Sequence, residues 1–227
     1  YYYSARAHAT LAGRLPHLAD ATGLANWCRA VKSPAELERM RRAAGIVAAM
    51  HRRIAEVARP GLAKNVLVAE ILRQGVLGAG GHWGDYAAIV PMAPSGMDAT
   101  APHLTWDDRP MQAGEAHFFE IAGVYRRYHC PLSRTLFLAG PPAGSRRAGP
   151  AVKEASAEAR PAARPGQTCA DIARAFNATL ARHGFVKDSR CGYSIGLSYP
   201  PDWGERTMSL RESDATVLQP GMCFHFM

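Results

Sequence analysis

Glu115-Ala-His-Phe-Phe-Glu-Ile-Ala-Gly-Val-Tyr-Arg-Arg-Tyr-His-Cys-Pro-Leu-Ser-Arg-Thr-Leu-Phe-Leu138 has the composition of a β-hairpin with one acid, Glu120, set among apolar neighbours. Phe118, Phe119, Ile121, Val124 and Tyr125 form one arm, and Leu132, Thr135 and Phe137 lie on the other. Aromatic and β-branched residues favour a pleated, half-buried surface. Ala122-Gly123 is expected to loosen the first arm. A carboxylate in such a strand is poorly solvated, so it is either paired or chemically used.

Working backward from the hairpin, residues 93–114 are rich in Pro, Gly and Asp and contain His103. A loop that long inside a compact domain is usually functional. Residues 86–92 have strand composition, with Pro91 making them an edge strand or marking its end. Helices are expected over 63–77 and 33–57. Ser33-Pro-Ala-Glu36 supplies a cap, a first-turn proline and a capping box for the latter, whose apolar face is Leu37, Met40, Ala44, Val47, Met50 and Ile54. Residues 1–32 hold a short helical run (7–15) and an extended segment (25–31), too little for an independent domain. Beyond the hairpin, helices are expected over 151–163 and 169–183, the second capped by Thr168. A glycine- and aromatic-rich segment (192–205) follows, then 217–226, a turn feeding a final strand. Helices alternating with antiparallel hairpins make an α+β chain. The first residue is Tyr1 and the last strand runs to Met227 with no turn after it, so a chain truncated at both ends is expected.

The 227 residues, 48% of them hydrophobic, suffice for one substantial core. The formal charge of +8 is spread without a run of like charges, which favours a solvated basic surface or a pocket for a small anion over nucleic-acid binding. Five cysteines, odd in number and without a Cys-x-x-Cys pair, read as reduced thiols of a cytoplasmic protein. No apolar run reaches the length of a membrane span.

Ser33 to Ala44, Pro102-His103, the Ala113-Gly114-Glu115 turn, Ser133-Arg134-Thr135, Gly192 to Gly196 and Leu218-Gln-Pro-Gly-Met222 resemble, in order, the creatinase/aminopeptidase P/methionine aminopeptidase family. That resemblance implies a pita-bread fold, in which helix pairs pack on the outer face of a curved antiparallel sheet. It implies a catalytic domain over 33–227, preceded in 1–32 by the tail of an N-terminal domain, and a homodimer. Metal-dependent members bind two ions with two Asp, one His and two Glu. Here the first Asp falls on Glu120, the second on Pro131, the His on Tyr193 and the first Glu on Met227, while the last Glu lies past the chain. Hard divalent ions need several oxygen donors, and zinc or cobalt needs His, carboxylate or thiolate, so no metal and no other cofactor is expected. Creatinase works without metal through a His that falls on His103. Its Glu before the Arg-Thr of the hairpin falls on Ser133, which argues against creatine as substrate.

Residues 120–135 and 192–205 resemble the ectoine hydrolase branch. This implies metal-independent hydrolysis of a cyclic amidine carbon–nitrogen bond, opening ectoine, a small zwitterion, to N-acetyl-2,4-diaminobutyrate; hydroxyectoine is equally compatible. Glu120 would be nucleophile or general base, and His103 the proton shuttle. Tyr193, Tyr199 and Trp203 offer an aromatic wall to a cationic ring, Asp202 and Glu205 carboxylates for its charge, and His129 a further substrate contact. Plainer readings stand beside these. Glu120 could pair with Arg126, Arg127 or Arg134, the aromatics could be core, the acids could be caps, and His129 with Cys130 could be structural. His82 and Trp83 are expected opposite, on the same cleft. The rival functions are an Xaa-Pro aminopeptidase or prolidase with metal, and a non-catalytic pita-bread binding module.

Overall fold

The computed structural model describes residues 3–101 and 103–227; Tyr1, Tyr2 and Pro102, half of the Pro102-His103 motif, lie outside the described residues. The hairpin forms as β1 (Ala116–Tyr125) and β2 (Tyr128–Phe137), paired from Ala116↔Phe137 to Tyr125↔Tyr128 without a break. The register therefore contradicts a loosened strand at Ala122-Gly123. Gly123 serves a different purpose: a Cβ there would stand 2.2 Å from the Ala43 carbonyl oxygen and 2.4 Å from the Val47 amide nitrogen. Helix α3 (Pro34–Val57) crosses the sheet at that point, and only a glycine lets the backbones approach so closely.

The capping box at the start of α3 is complete. Ser33 Oγ accepts from the Glu36 amide, and Glu36 Oε2 accepts from the Ser33 amide at 2.8 Å. The helix buries Met40, Ala43, Ile46, Val47, Ala49, Met50 and Ile54. With α4 (Lys64–Leu77) it packs on the hairpin, in a core that includes Leu67, Ile71, Phe119 and Ile121. Each such side chain removed from water contributes roughly 1.5–3 kcal/mol.

The remaining strands, β3 (Gly192–Tyr199), β4 (Asp202–Ser209) and β5 (Phe224–Phe226), complete a five-stranded antiparallel sheet in the order β1-β2-β3-β4, with β5 also paired to β3. Helix α5 (Ala143–Ala159) packs on α6 (Cys169–Arg182) through Ala151, Ala155 and Ala159, spaced four apart on one face. Thr168 and Asp171 form a second capping box at α6. Helix α5 starts well before residue 151 and continues through Pro150, since Pro142 and the Arg146 amide already close its first turn.

Two further expectations give way. Residues 25–31 are not extended: Leu24–Cys28 is a short helix, α2, on which Asn26 donates to the Glu205 carbonyl at 2.7 Å. The 8-residue helix α1 (Ala5–Ala12) buries no side chain. Residues 86–92 are not a strand, and Pro91 removes an amide a ladder would need. Among the described residues, the segment's ladder pairing with β1 is the Met92↔Glu120 bridge, with amide–carbonyl bonds of 3.1 and 3.0 Å in the two directions. No helix among the described residues is long and apolar enough to cross a membrane. All five cysteines are free.

Candidate active site

The Met92 bridge orients Glu120, and the alternation of β1 turns its side chain away from the α3 core. It opens into a cleft of about 890 Å³ lined also by Met92, His103, Phe118, Arg190, Tyr193, Asp202 and Trp203. A neighbouring groove of about 910 Å³, between the hairpin and α5, is lined by no carboxylate and no histidine. The first cavity is therefore the one that can do acid–base work.

Glu120 is 8% exposed. Burial pushes its carboxyl above the usual range, against the opposing pull of His103, the Tyr193 hydroxyl and Arg190. Tyr193 donates to Glu120 Oε1 at 3.4 Å. The same hydroxyl oxygen accepts from the Trp203 indole N–H at 2.7 Å and lies 3.0 Å from Nδ1 of His225. His225 is buried on β5, and its Nδ1 is 3.7 Å from Glu120 Oε1. Burial and the nearby Arg190 push its imidazole down to about 4, so it is neutral near pH 7. Burial also raises the Tyr193 phenol. His225 is not among the candidate site residues that the sequence singles out. The signal was a histidine in an apolar run, but its strand pairing with Tyr193 is a long-range contact no local pattern reveals.

His103 lies on the exposed loop at φ 65, at the cleft wall, close enough for its charge to favour ionised Glu120. The loop is closed beneath it by Ala93, whose amide donates to the Thr105 carbonyl at 3.1 Å. Asp202 lines the cleft and binds Arg206 Nε at 3.1 Å. Arg190 caps the Tyr193 ring, 4.2 Å from its centroid.

The other candidates lie away from the cleft walls. Tyr199 is half exposed, with the Arg127 guanidinium 4.8 Å from its ring. Glu205 is buried and paired with Lys32 at 2.6 Å. His129 accepts the Ala88 amide at Nε2 and donates from Nδ1 to the Arg127 carbonyl, both at 2.9 Å. The Cys130 thiol is pushed up to about 11 by burial, and thiolate is the reactive form. His82 and Trp83 pack on Tyr125 at the tip of the hairpin. As for pairing of Glu120, Arg127 binds Asp85, and Arg134 donates to the Ser133 carbonyl.

The metal question turns on donor chemistry. Pro131 stands opposite Ala122, the next residue of β1 on the Glu120 face, and offers no donor. No group of three or more His, Cys, Asp or Glu able to hold a metal exists among the described residues. Among the described residues, Glu120 and His225 do not by themselves make the set a divalent ion requires.

An antiparallel sheet backed by helix pairs, with a buried acid at the cleft floor, places the chain in a known class. It belongs to metallopeptidase family M24, whose profile matches residues 38–227, and it has the pita-bread fold of that family. The chain is 56% identical to the ectoine hydrolase of Halomonas elongata, over all of its own length and 59% of that protein. Its fold superposes on the Xaa-Pro dipeptidase of Bacillus anthracis with a TM-score of 0.82 at 19% identity, covering 98% of this chain and 61% of that one. Against dipeptidase PepE of Mycobacterium ulcerans the TM-score is 0.80 at 25% identity, covering 98% and 58%. The chain thus spans about three fifths of the length of these relatives.

Proposed function

We propose that this chain carries the reacting centre of a hydrolase that opens a cyclic amidine, with ectoine as the first substrate to test and hydroxyectoine as its close variant. The observation that carries this reading is a desolvated carboxylate, Glu120, lining a cleft with Tyr193 and Trp203, and with His225 beside it but no third donor to complete a metal site among the described residues. A buried carboxylate attracts a cationic amidinium strongly through charge-assisted hydrogen bonds. The likeness to the Halomonas elongata enzyme supports the same substrate class.

The substrate's charges match the cleft. Its amidinium is drawn to Glu120, and its carboxylate to Lys187, Arg190 and Arg211, which line the same cleft. Glu120 acts in one of two ways: it removes a proton from the attacking water, or it adds to the amidine carbon itself and is released by water. In both, one water is consumed, a carbon–oxygen bond forms and one ring carbon–nitrogen bond breaks. The departing nitrogen takes a proton from His103 at the cleft mouth. No step passes through a metal, and the protein works as the dimer expected of its family.

The test is incubation of the full-length protein with ectoine, with mass spectrometry following the gain of one water. Glu120→Gln, run in parallel, should give no product. Stoichiometric metal lost together with activity would overturn the metal-free reading, and absence of product from the wild type would overturn the substrate assignment.

A further inference from the structure

Among the described residues, every polar side-chain contact of the Glu120 carboxylate goes to one oxygen. Tyr193 donates to Oε1 at 3.4 Å, and His225 Nδ1 stands 3.7 Å from that same oxygen. No hydrogen bond or ion pair from the described residues reaches Oε2, yet Oε2 is not a sealed, partnerless atom, so it is open to the cleft.

The protons of the surrounding groups can be assigned. The Trp203 indole is only a donor, so the Tyr193 oxygen accepts from it at 2.7 Å. Tyr193 has one proton, and placing it on the bond to Oε1 requires His225 Nδ1 to carry a hydrogen and donate to the Tyr193 oxygen at 3.0 Å. In that neutral tautomer Nε2 is an acceptor, and the Ser133 hydroxyl lies 3.5 Å away to supply it. Ser133 is also the strand partner of Glu120. Tryptophan, tyrosine, histidine and serine thus use their hydrogen-bonding groups consistently in one arrangement, which ends on Oε1. None of them carries a net charge.

We propose that Tyr193 and His225 are positioning residues that lock Oε1 of Glu120 and so present Oε2 as the oxygen that reacts, whether with the amidine carbon or with its attacking water. A free carboxylate exchanges its two oxygens by rotation about its terminal bond. A carboxylate held at one oxygen has already lost that freedom before the substrate arrives, which lowers the entropic cost of reaching attack geometry. The inference rests on the reading of Glu120 as the reacting group.

The experiment uses three variants of the full-length protein: Tyr193→Phe, His225→Phe and His225→Asn. The first two should lower kcat about 10- to 100-fold with KM changed less than about twofold, the pattern of a lost transition-state arrangement. His225→Asn places an amide donor near Nδ1 and should restore kcat to within about fivefold of wild type, which a purely space-filling role would not predict. A His225→Phe enzyme with wild-type kcat, or a loss confined to KM, would overturn the proposal. Labelling of Glu120 by a water-soluble carbodiimide, followed by mass spectrometry without substrate, gives a readout independent of ectoine. Tyr193→Phe should react several-fold faster, because its carboxylate has lost its donor. Equal rates would sink the positioning role whatever the substrate, whereas faster labelling with no ring opening by the wild type would sink only the functional reading.

Discussion

Burial holds the Glu120 carboxyl above its usual range, with the His103, Tyr193 and Arg190 contributions working in the opposite direction. Base or nucleophile, it must be ionised to act, so kcat/KM should rise with pH through a limb lying above the ordinary carboxylate value of 4.5. A pH–rate profile checks this, and a limb at or below that value would contradict it. Glu120→Gln keeps the size and removes the charge; a loss of at least about 10³-fold in kcat is expected from removing the reacting group. His103 is exposed, so His103→Ala should shift the melting temperature by no more than a few degrees while lowering kcat about 10²- to 10⁴-fold. Steady-state kinetics beside a thermal melt separates the two effects.

At the scale of elements, the site depends on the hairpin being held against α3. Gly123 is the contact point, and Gly123→Ala would drive a methyl into backbone atoms at 2.2 and 2.4 Å that no side-chain rotation can relieve. Overpacking of this kind costs about 3 kcal/mol, equivalent to a fall in melting temperature of roughly 6–12 °C for a domain of this size. Calorimetry would show it; a variant melting within a degree of wild type would mean that α3 moves away freely. The turn joining the arms consists of Arg126 and Arg127, at φ 48 and 68, a left-handed conformation that usually selects glycine or asparagine. Arg127 is held there by Tyr86 and Ser198 carbonyls and by Asp85 at 3.3 Å. Tertiary contacts therefore override the local preference of the turn residues.

For the whole molecule, acid stability follows from two buried histidines. His129 and His225 are fully or almost fully buried, and burial pushes each from 6.5 down to about 4. A lowered folded-state value means that the unfolded chain binds the proton more tightly between about pH 6.5 and 4. Their contribution is present above pH 6.5 and is lost as pH falls through that window, on the order of 3 kcal/mol for each. Glu120 has the opposite sign, since its raised value makes stability fall as pH rises above 4.5, and it offsets part of this. The melting temperature should drop on going from pH 7 to pH 4.5, and His225→Asn should flatten that slope. An unchanged slope would show that His225 does not titrate on unfolding.

Much of this architecture was legible in the residues. The hairpin, the Ser33–Glu36 capping box, the Thr168 cap, the long α3 and the isolated acid are written in short-range patterns of alternation, helical spacing and cap chemistry, which depend on neighbours only a few positions away. Local patterns misjudged the stretches before Pro91 and around Trp27, where prolines and docking against β4 decide the conformation. The site was half legible. Glu120, His103, Tyr193, Asp202 and Trp203 were nameable from the chain and meet in one cleft. Glu205 and His129 could not be separated from them by sequence, because Lys32 and the Ala88 amide, their actual partners, are 173 and 41 residues away. His225 was invisible for the same reason: Tyr193 is 32 residues distant. By itself the sequence determined the hairpin, the helices α3, α4 and α6, and the isolated acid between apolar neighbours. Only the tertiary structure decided which side chains surround it, because desolvation and hydrogen bonding are properties of distances that the chain acquires on folding.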